Sequence, residues 1–340
     1  MKKLSLFFPL LLLFSVPAWA CDFCSIYMSN QAATANAKGF YFGVAEQFTH
    51  YGTLQLNGSQ VPNPLGQYMD SSITQFVAGY GVNDYFGFQI NLPYIRRSFL
   101  RPHAGVVERG SENGLGDMTL LGKFLAYRRL SERSSYTWHL IGGVKFPTGS
   151  SDRLKEELPG AGGGEGEATG HEEMLVKRHE GHDNGDDSGL PESGIHGHDL
   201  ALGSGSWDAI IGTEFFGRIK RFFWTTGALL TVRTTGDFDY RYGNEVQWSG
   251  GPGAYLLMNH AWTVAVQARF SGEYKGLDSQ AGVPATDTGM NSVYIGPEVL
   301  LTWKKYLSGG VGADFPVVLD NTDLQAVPDY RFRASLTGHF

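Results

Sequence analysis

Asp329 to Phe340 reads DYRFRASLTGHF. Tyr330, Phe332, Ala334, Leu336 and Phe340 fall at one parity, with Gly338 among them; Arg331, Arg333, Ser335, Thr337 and His339 fall at the other. Successive side chains of a strand point to opposite faces, so the stretch is a strand with one apolar face and one cationic, polar face. Lipid on one side and a watery lumen on the other would call for such a strand. The rest of the chain should then repeat it, with about 9 to 11 residues per crossing, until a cylinder closes.

The repeat is present. Period-two segments with turn residues between them lie near 39–51, 69–81, 85–98, 116–128, 135–147, 205–217, 221–234, 242–257, 262–274, 291–303, 307–318 and 329–340. These predict an all-β fold, a transmembrane antiparallel up-and-down barrel of about 12 strands, an even number as single-chain bacterial barrels have. Phe86, Phe88, Ile90, Leu92 and Tyr94 are expected to face lipid, with Gln89, Asn91 and Arg97 inward. Phe222, Trp224, Leu230 and Val232 oppose Thr225, Thr231 and Arg233 in the same way. Trp138, Trp248, Trp262 and Trp303, near strand ends, suit interfacial girdles. Gaps such as Val82-Asn83-Asp84, Met258 to Ala261 and Lys304 to Tyr306 are short and alternate with longer ones. Outer-membrane barrels sort periplasmic turns from external loops in this manner, whereas a soluble sandwich need not.

Composition agrees. The chain has 46 glycines and 13% aromatics, against 18% charged residues; glycine weakens helices and aromatics favour strands. Lys2 and Lys3, the apolar run Leu4 to Val16 and Ala18-Trp19-Ala20 have the order of a secretory signal peptide over 1–20. Residues 21–38 then form a periplasmic lead-in and 39–340 the barrel. The net charge of -7 is uneven: residues 152 to 199 hold 13 acids and 4 bases. The remainder, without Lys2 and Lys3, is balanced, so a nucleic-acid partner has no basic patch to bind.

Three regions have residues that could carry chemistry. Parity sends Lys123, Lys145, Arg233, Arg269, Arg331 and Arg333 into the lumen with Asp208, Glu214, Glu298 and Asp314. There they either form a structural ion-pair network or, with Arg331 and Arg333 as a basic ladder, a constriction for anions or polar solutes. The glycine-rich, acidic insert 148–204 is expected to be a disordered external loop. It carries His171, His179, His182, His196 and His198, with spacings and neighbouring carboxylates suited to zinc, nickel or copper, or to solvation alone. Cys21 and Cys24, as CDFC, are a disulfide or thiol pair, with a soft-metal role or lipidation of Cys21 as alternatives. No cofactor is required by any of these readings.

YGVNDYFGFQINLPYI (80–95), GLGDMTLLGKF (114–124) and GGVKFPTGSSD (142–152) resemble the outer-membrane transporters of the MetA-pathway phenol-degradation family. Asn83-Asp84 reads as a tight periplasmic turn, Pro93 and Pro147 as ends of ladder pairing at the outer rim, and Gly114 to Asp117 as a strand start. The terminal strand resembles that of bacterial outer-membrane barrels, in which the last aromatic, here Phe340, is the signal read by the barrel assembly machinery. These resemblances imply the outer membrane of a Gram-negative-type bacterium as location and its bilayer as partner. They also imply passive passage of small aromatic, apolar or anionic solutes. A metal-binding receptor with the barrel as anchor is the alternative. A barrel lipase is the third class: His139 and His339 are expected in the lumen and His50 and His260 near strand ends, none in a recognisable serine motif.

Overall fold

The computed structural model describes residues 38 to 158 and 190 to 340. Twelve long strands run up and down: β1 (Gly39–Leu56), β2 (Tyr68–Gly81), β3 (Phe86–His103), β4 (Thr119–Leu130), β5 (Ser134–Lys145), β6 (Asp208–Ile219), β7 (Phe222–Val232), β8 (Glu245–Met258), β9 (Trp262–Lys275), β10 (Met290–Trp303), β11 (Leu307–Asn321) and β12 (Leu324–His339). Each pairs antiparallel with the next, and β12 returns to β1, placing Phe332 opposite Phe48 and Gly338 opposite Phe42. The sheet therefore has no open edge around the barrel. Where β1 bulges near Tyr51, the Asp329 carboxylate accepts from the Gly52 amide (2.8 Å) and the Thr53 hydroxyl (2.6 Å), which keeps the closing seam hydrogen-bonded.

Side-chain burial follows the expected parity. On β3, Phe88 and Ile90 are exposed while Gln89 and Asn91 are buried; on β12, Phe332 and Leu336 are exposed while Arg331 and Arg333 are buried. The pattern reverses that of a water-soluble sheet. Apolar side chains cover the outside, polar ones the inside, and only a hydrocarbon solvent makes that favourable. Among the described residues no helix is long and apolar enough to cross a membrane; the crossing is made by strands, and the protein is an outer-membrane β-barrel. Trp138, Trp262 and Trp303 are exposed near the end with short turns. There Asn83 and Asn259 close their turns by accepting from the backbone amides of Tyr85 and Phe86, and of Ala261 and Trp262.

The opposite rim differs from the sequence expectation in three places. Residues 106–115 are not loop but a strand that pairs with the upper half of β3, from His103 opposite Val106 to Tyr94 opposite Leu115. The turn is Ala104-Gly105, both at positive φ, the backbone of a tight hairpin. Pro93 does not end the ladder: β3 passes through it to His103. It sits where β3 changes neighbour, between Asn91 opposite Thr119 and Tyr94 opposite Leu115, so its missing N–H falls at a break in pairing on that side. Gly114-Leu115 correspondingly ends a strand and does not start one. Finally, β11 and β12 continue through 319–328 to a tight turn at Thr322-Asp323.

The insert also departs from the expected external, disordered loop wherever it is described. Its two arms, 146–158 and 190–207, turn inward and fill the mouth. Ile195 and Leu200 pack with Tyr51, Leu54, Met69, Phe99 and Ala326, and Leu202 packs with Ala45, Ile73 and Ile95. These barrel positions face inward, so the plug supplies the apolar partners that would otherwise face water. The Arg97 guanidinium donates to the carbonyls of Asp199 and Ala201, and Gln67 exchanges hydrogen bonds with the Glu192 carbonyl (2.9 Å) and the Gly194 amide (3.0 Å). The signal peptide, Cys21, Cys24, His171, His179 and His182 lie outside the described residues.

The assignment of faces has a direct test. Val266→Arg puts a charge on the lipid face of β9 and should destabilise the folded barrel by about 2–4 kcal/mol, measured by reversible denaturant unfolding in lipid vesicles.

Candidate functional site

All ten lumen residues read from parity lie on the inward face, but their partners could not be read from the sequence. Arg333 donates to both oxygens of Asp314 (2.6 and 2.9 Å) and to Glu298 (2.9 Å). Arg269 lies 4.0 Å from Glu298. Arg331 forks onto Glu273 and stacks its guanidinium 4.0 Å from the Tyr294 ring centroid. Higher up, Lys145 joins Asp117 (2.6 Å) and Asp208 (2.8 Å), and Arg233 joins Asp208 (3.0 Å) and Glu245. Lys123 and Glu214 stand 4.0 Å apart. Each of these cations faces at least one carboxylate. A buried charge without a partner is costly, so these pairs match the interior and leave no cationic stripe.

The charged groups lie on β8 to β12 and also on β4 to β6, where Lys123 meets Glu214 and Lys145 meets Asp208. Between those pairs, on β4 to β7, Leu121, Ile141, Ile210 and Leu229 form one buried cluster on the inner wall. Gly143 and Gly212 make it possible. A Cβ on Gly143 would lie 2.4 Å from the Leu121 Cδ2, and one on Gly212 2.2 Å from the Leu229 Cδ2, so the leucines lie flat where a side chain would displace them. A third sector, on β1 to β3, presents the buried amides and hydroxyls of Gln47, Thr49, Ser71, Gln75, Gln89 and Asn91. The lumen thus combines an aliphatic patch, ion pairs and a run of uncharged amides and hydroxyls, with Arg97 and Arg101 above the amides on β3.

Beneath the plug these surfaces line a partly open cavity of about 150 Å³. Leu121, Ile210 and Leu229 contribute to its apolar side, Gln75 and Asn91 to the amide side, and Lys145, Arg233 and Arg331 to the charged side. Its roof is the insert, with Ile195, His198 and Ala201 among the lining residues. Asp117, from the GLGD stretch, fastens that roof. One carboxylate oxygen accepts from the Ser204 amide (3.0 Å) and hydroxyl (2.8 Å) and from Lys145, the other from the Gly149 amide (3.0 Å). The sequence reading treated Asp117 as part of a strand start; the signal for its role is a carboxylate placed in a break between two strands.

His196 and His198 sit in the folded arm, not in solvent. His198 is buried, and its ring faces Glu157 (Nδ1 to Oε1, 3.1 Å) and Asp199 (Nε2 to Oδ1, 3.5 Å). Burial alone would favour the neutral imidazole, but the two carboxylates override it and raise the pKa to about 10. Burial works against the Glu157 carboxylate too, and the His198 charge and hydrogen bond nonetheless hold it far below the usual range. Elsewhere, His50 lies between Asp70 (2.6 Å) and Asp329 (3.8 Å) and stacks on Tyr330, so its two nitrogens face carboxylates where a hydrolase would need a serine.

No family model matches the chain, and no curated protein matches it. Among solved structures, an outer membrane channel from Pseudomonas putida F1 is similar over 90% of this chain and 98% of that one, at 13% identity and a TM-score of 0.59. The β-domain of the Bordetella autotransporter BrkA overlaps 88% of this chain and 99% of its own at 10% identity and 0.42. For the CymD monoaromatic hydrocarbon channel the figures are 96%, 95%, 8% and 0.37. The first likeness is one of fold, since one fold hosts many functions; the other two overlap too loosely to carry an argument.

Arg333→Ala should cost about 3–5 kcal/mol, because it leaves Asp314 and Glu298 charged and buried. Adding Asp314→Asn should restore part of the loss. Unfolding midpoints of the single and double variants measure both effects.

Proposed function

We propose that the chain is a passive outer-membrane transporter, a narrow channel whose cargo is a small apolar or aromatic solute. The observation that carries this reading is the cavity under the plug, with Leu121, Ile210 and Leu229 on one side and polar groups on the other. A cavity of this volume is about the size that holds benzene when lined by aliphatic side chains. An anionic cargo is less well served. Lys145, Arg233 and Arg331 are each engaged by carboxylates, so an anion would have to displace a buried carboxylate to reach them. A neutral solute with one hydroxyl would meet the aliphatic wall with its ring, and Gln75, Asn91 or Thr119 with its polar end. The outer-membrane fold, shared with a channel from Pseudomonas putida F1, supports transport over hydrolysis.

The alternative of a surface receptor anchored by an inert barrel makes a different prediction in planar bilayers. The full chain should conduct weakly, since the plug fills the mouth, and a chain lacking Asp152 to Asp199 should conduct more strongly. Silence in both would favour the receptor. For cargo, calorimetric titration should find p-cresol bound more tightly than benzoate. Leu229→Asn, which sets an amide against the aliphatic wall, should weaken the cresol by roughly 1–3 kcal/mol. Equal or reversed preference would count against an apolar cargo.

A further inference from the structure

We propose that His196, His198 and Asp287 form a binding site for a divalent transition-metal ion of the zinc class, which ties the inserted arm to the loop between β9 and β10. The three residues come from two distant segments, yet each offers one ligand atom and those atoms all lie within 4.8 Å of one another. The His196 Nδ1 and an Asp287 carboxylate oxygen are 3.4 Å apart. Two ligands about 2.0–2.1 Å from a tetrahedral ion are separated by roughly that distance. The His196 Nδ1 is also a buried atom without a hydrogen-bond partner, as expected of a nitrogen reserved for a ligand.

The surroundings have the form of a metal site's outer layer. Metal-bound imidazoles ordinarily give their second nitrogen to a carboxylate, which fixes the tautomer and strengthens the donor. Glu157 takes that place on His198, at Nδ1, leaving Nε2 on the side of Asp199. Asp199 is itself fixed, accepting from the His196 amide at 2.9 Å. Imidazole with carboxylate, with Tyr240 and Tyr242 beside His198, suits zinc, cobalt or nickel better than a hard ion such as calcium. The nearby cation, Lys275, is bound to Asp278 at 2.7 Å. Because one side of the site is plug and the other is the β9–β10 loop, its occupancy keeps the plug seated.

The inference is separate from what the channel carries and is tested without flux. Co²⁺ is titrated into the full chain in detergent and tetrahedral d–d absorption is recorded, with Zn²⁺ added as competitor. One Co²⁺ per chain should bind, be displaced by Zn²⁺, and be lost in His196→Ala and in Asp287→Asn. Asp287→Glu, which keeps the carboxylate, should retain it. The triple variant His171→Ala/His179→Ala/His182→Ala should also retain it. Heat-modifiable gel migration reports that each variant still folds. Absence of the band in the unaltered chain would overturn the proposal. So would its survival in folded Asp287→Asn, or its loss in the triple variant, which would place the metal in the remainder of the insert.

Discussion

The pairing of β1 with β12 is the constraint on which the rest depends. In hydrocarbon a backbone amide or carbonyl has no water to bond, so a sheet that crosses a membrane must close on itself. Closure commits every strand to a lipid side and a lumen side, and a slip of one residue would exchange them. The seam holds its register from Tyr41 opposite His339 to Leu56 opposite Leu324, across a bulge that the Asp329 side chain bridges. Once Phe332 must face lipid, Arg331 and Arg333 must face inward, and the interior has to find them partners.

Electrostatics then decides what the lumen can be. Arginines at Arg331 and Arg333 could have made a cationic gate, but Glu273, Glu298 and Asp314 come from β9, β10 and β11 to meet them. Such pairs add less to stability than their attraction suggests, because each ion loses its water. What they secure is a defined wall, since breaking one costs more than forming it returned. With the charge thus neutralised, the aliphatic patch on β4 to β7 is the surface that the proposed apolar cargo would meet.

How much of this was legible in the chain follows from the range of the interactions. Which side of each strand meets lipid is a local property, and alternation reported it for Phe88, Gln89 and Arg331 alike. Tight turns at Asn83 and Asn259 are local too. Partnerships were not legible: nothing near Arg333 names Glu298, and nothing near His196 names Asp287, because only the assembled sheet and the folded arm bring them together. Pro93 misled because its lack of an N–H reads as the end of ladder pairing, when the strand only changes neighbour there. The insert misled more deeply. Its glycines and acids describe a solvated chain, while Ile195, Leu200 and Leu202, few but well spaced, carry the arm into the mouth.

That inward fold changes what the insert can do. A solvated histidine-rich loop would bind ions weakly and independently of the barrel. An arm held by Arg97, Arg101 and Gln67 instead presents His196 and His198 at a fixed height against the wall, and its backbone shares a roof with the cavity below. His198 stands where the two meet: its ring faces Glu157 and Asp199 of the folded arms and also lines the chamber beneath.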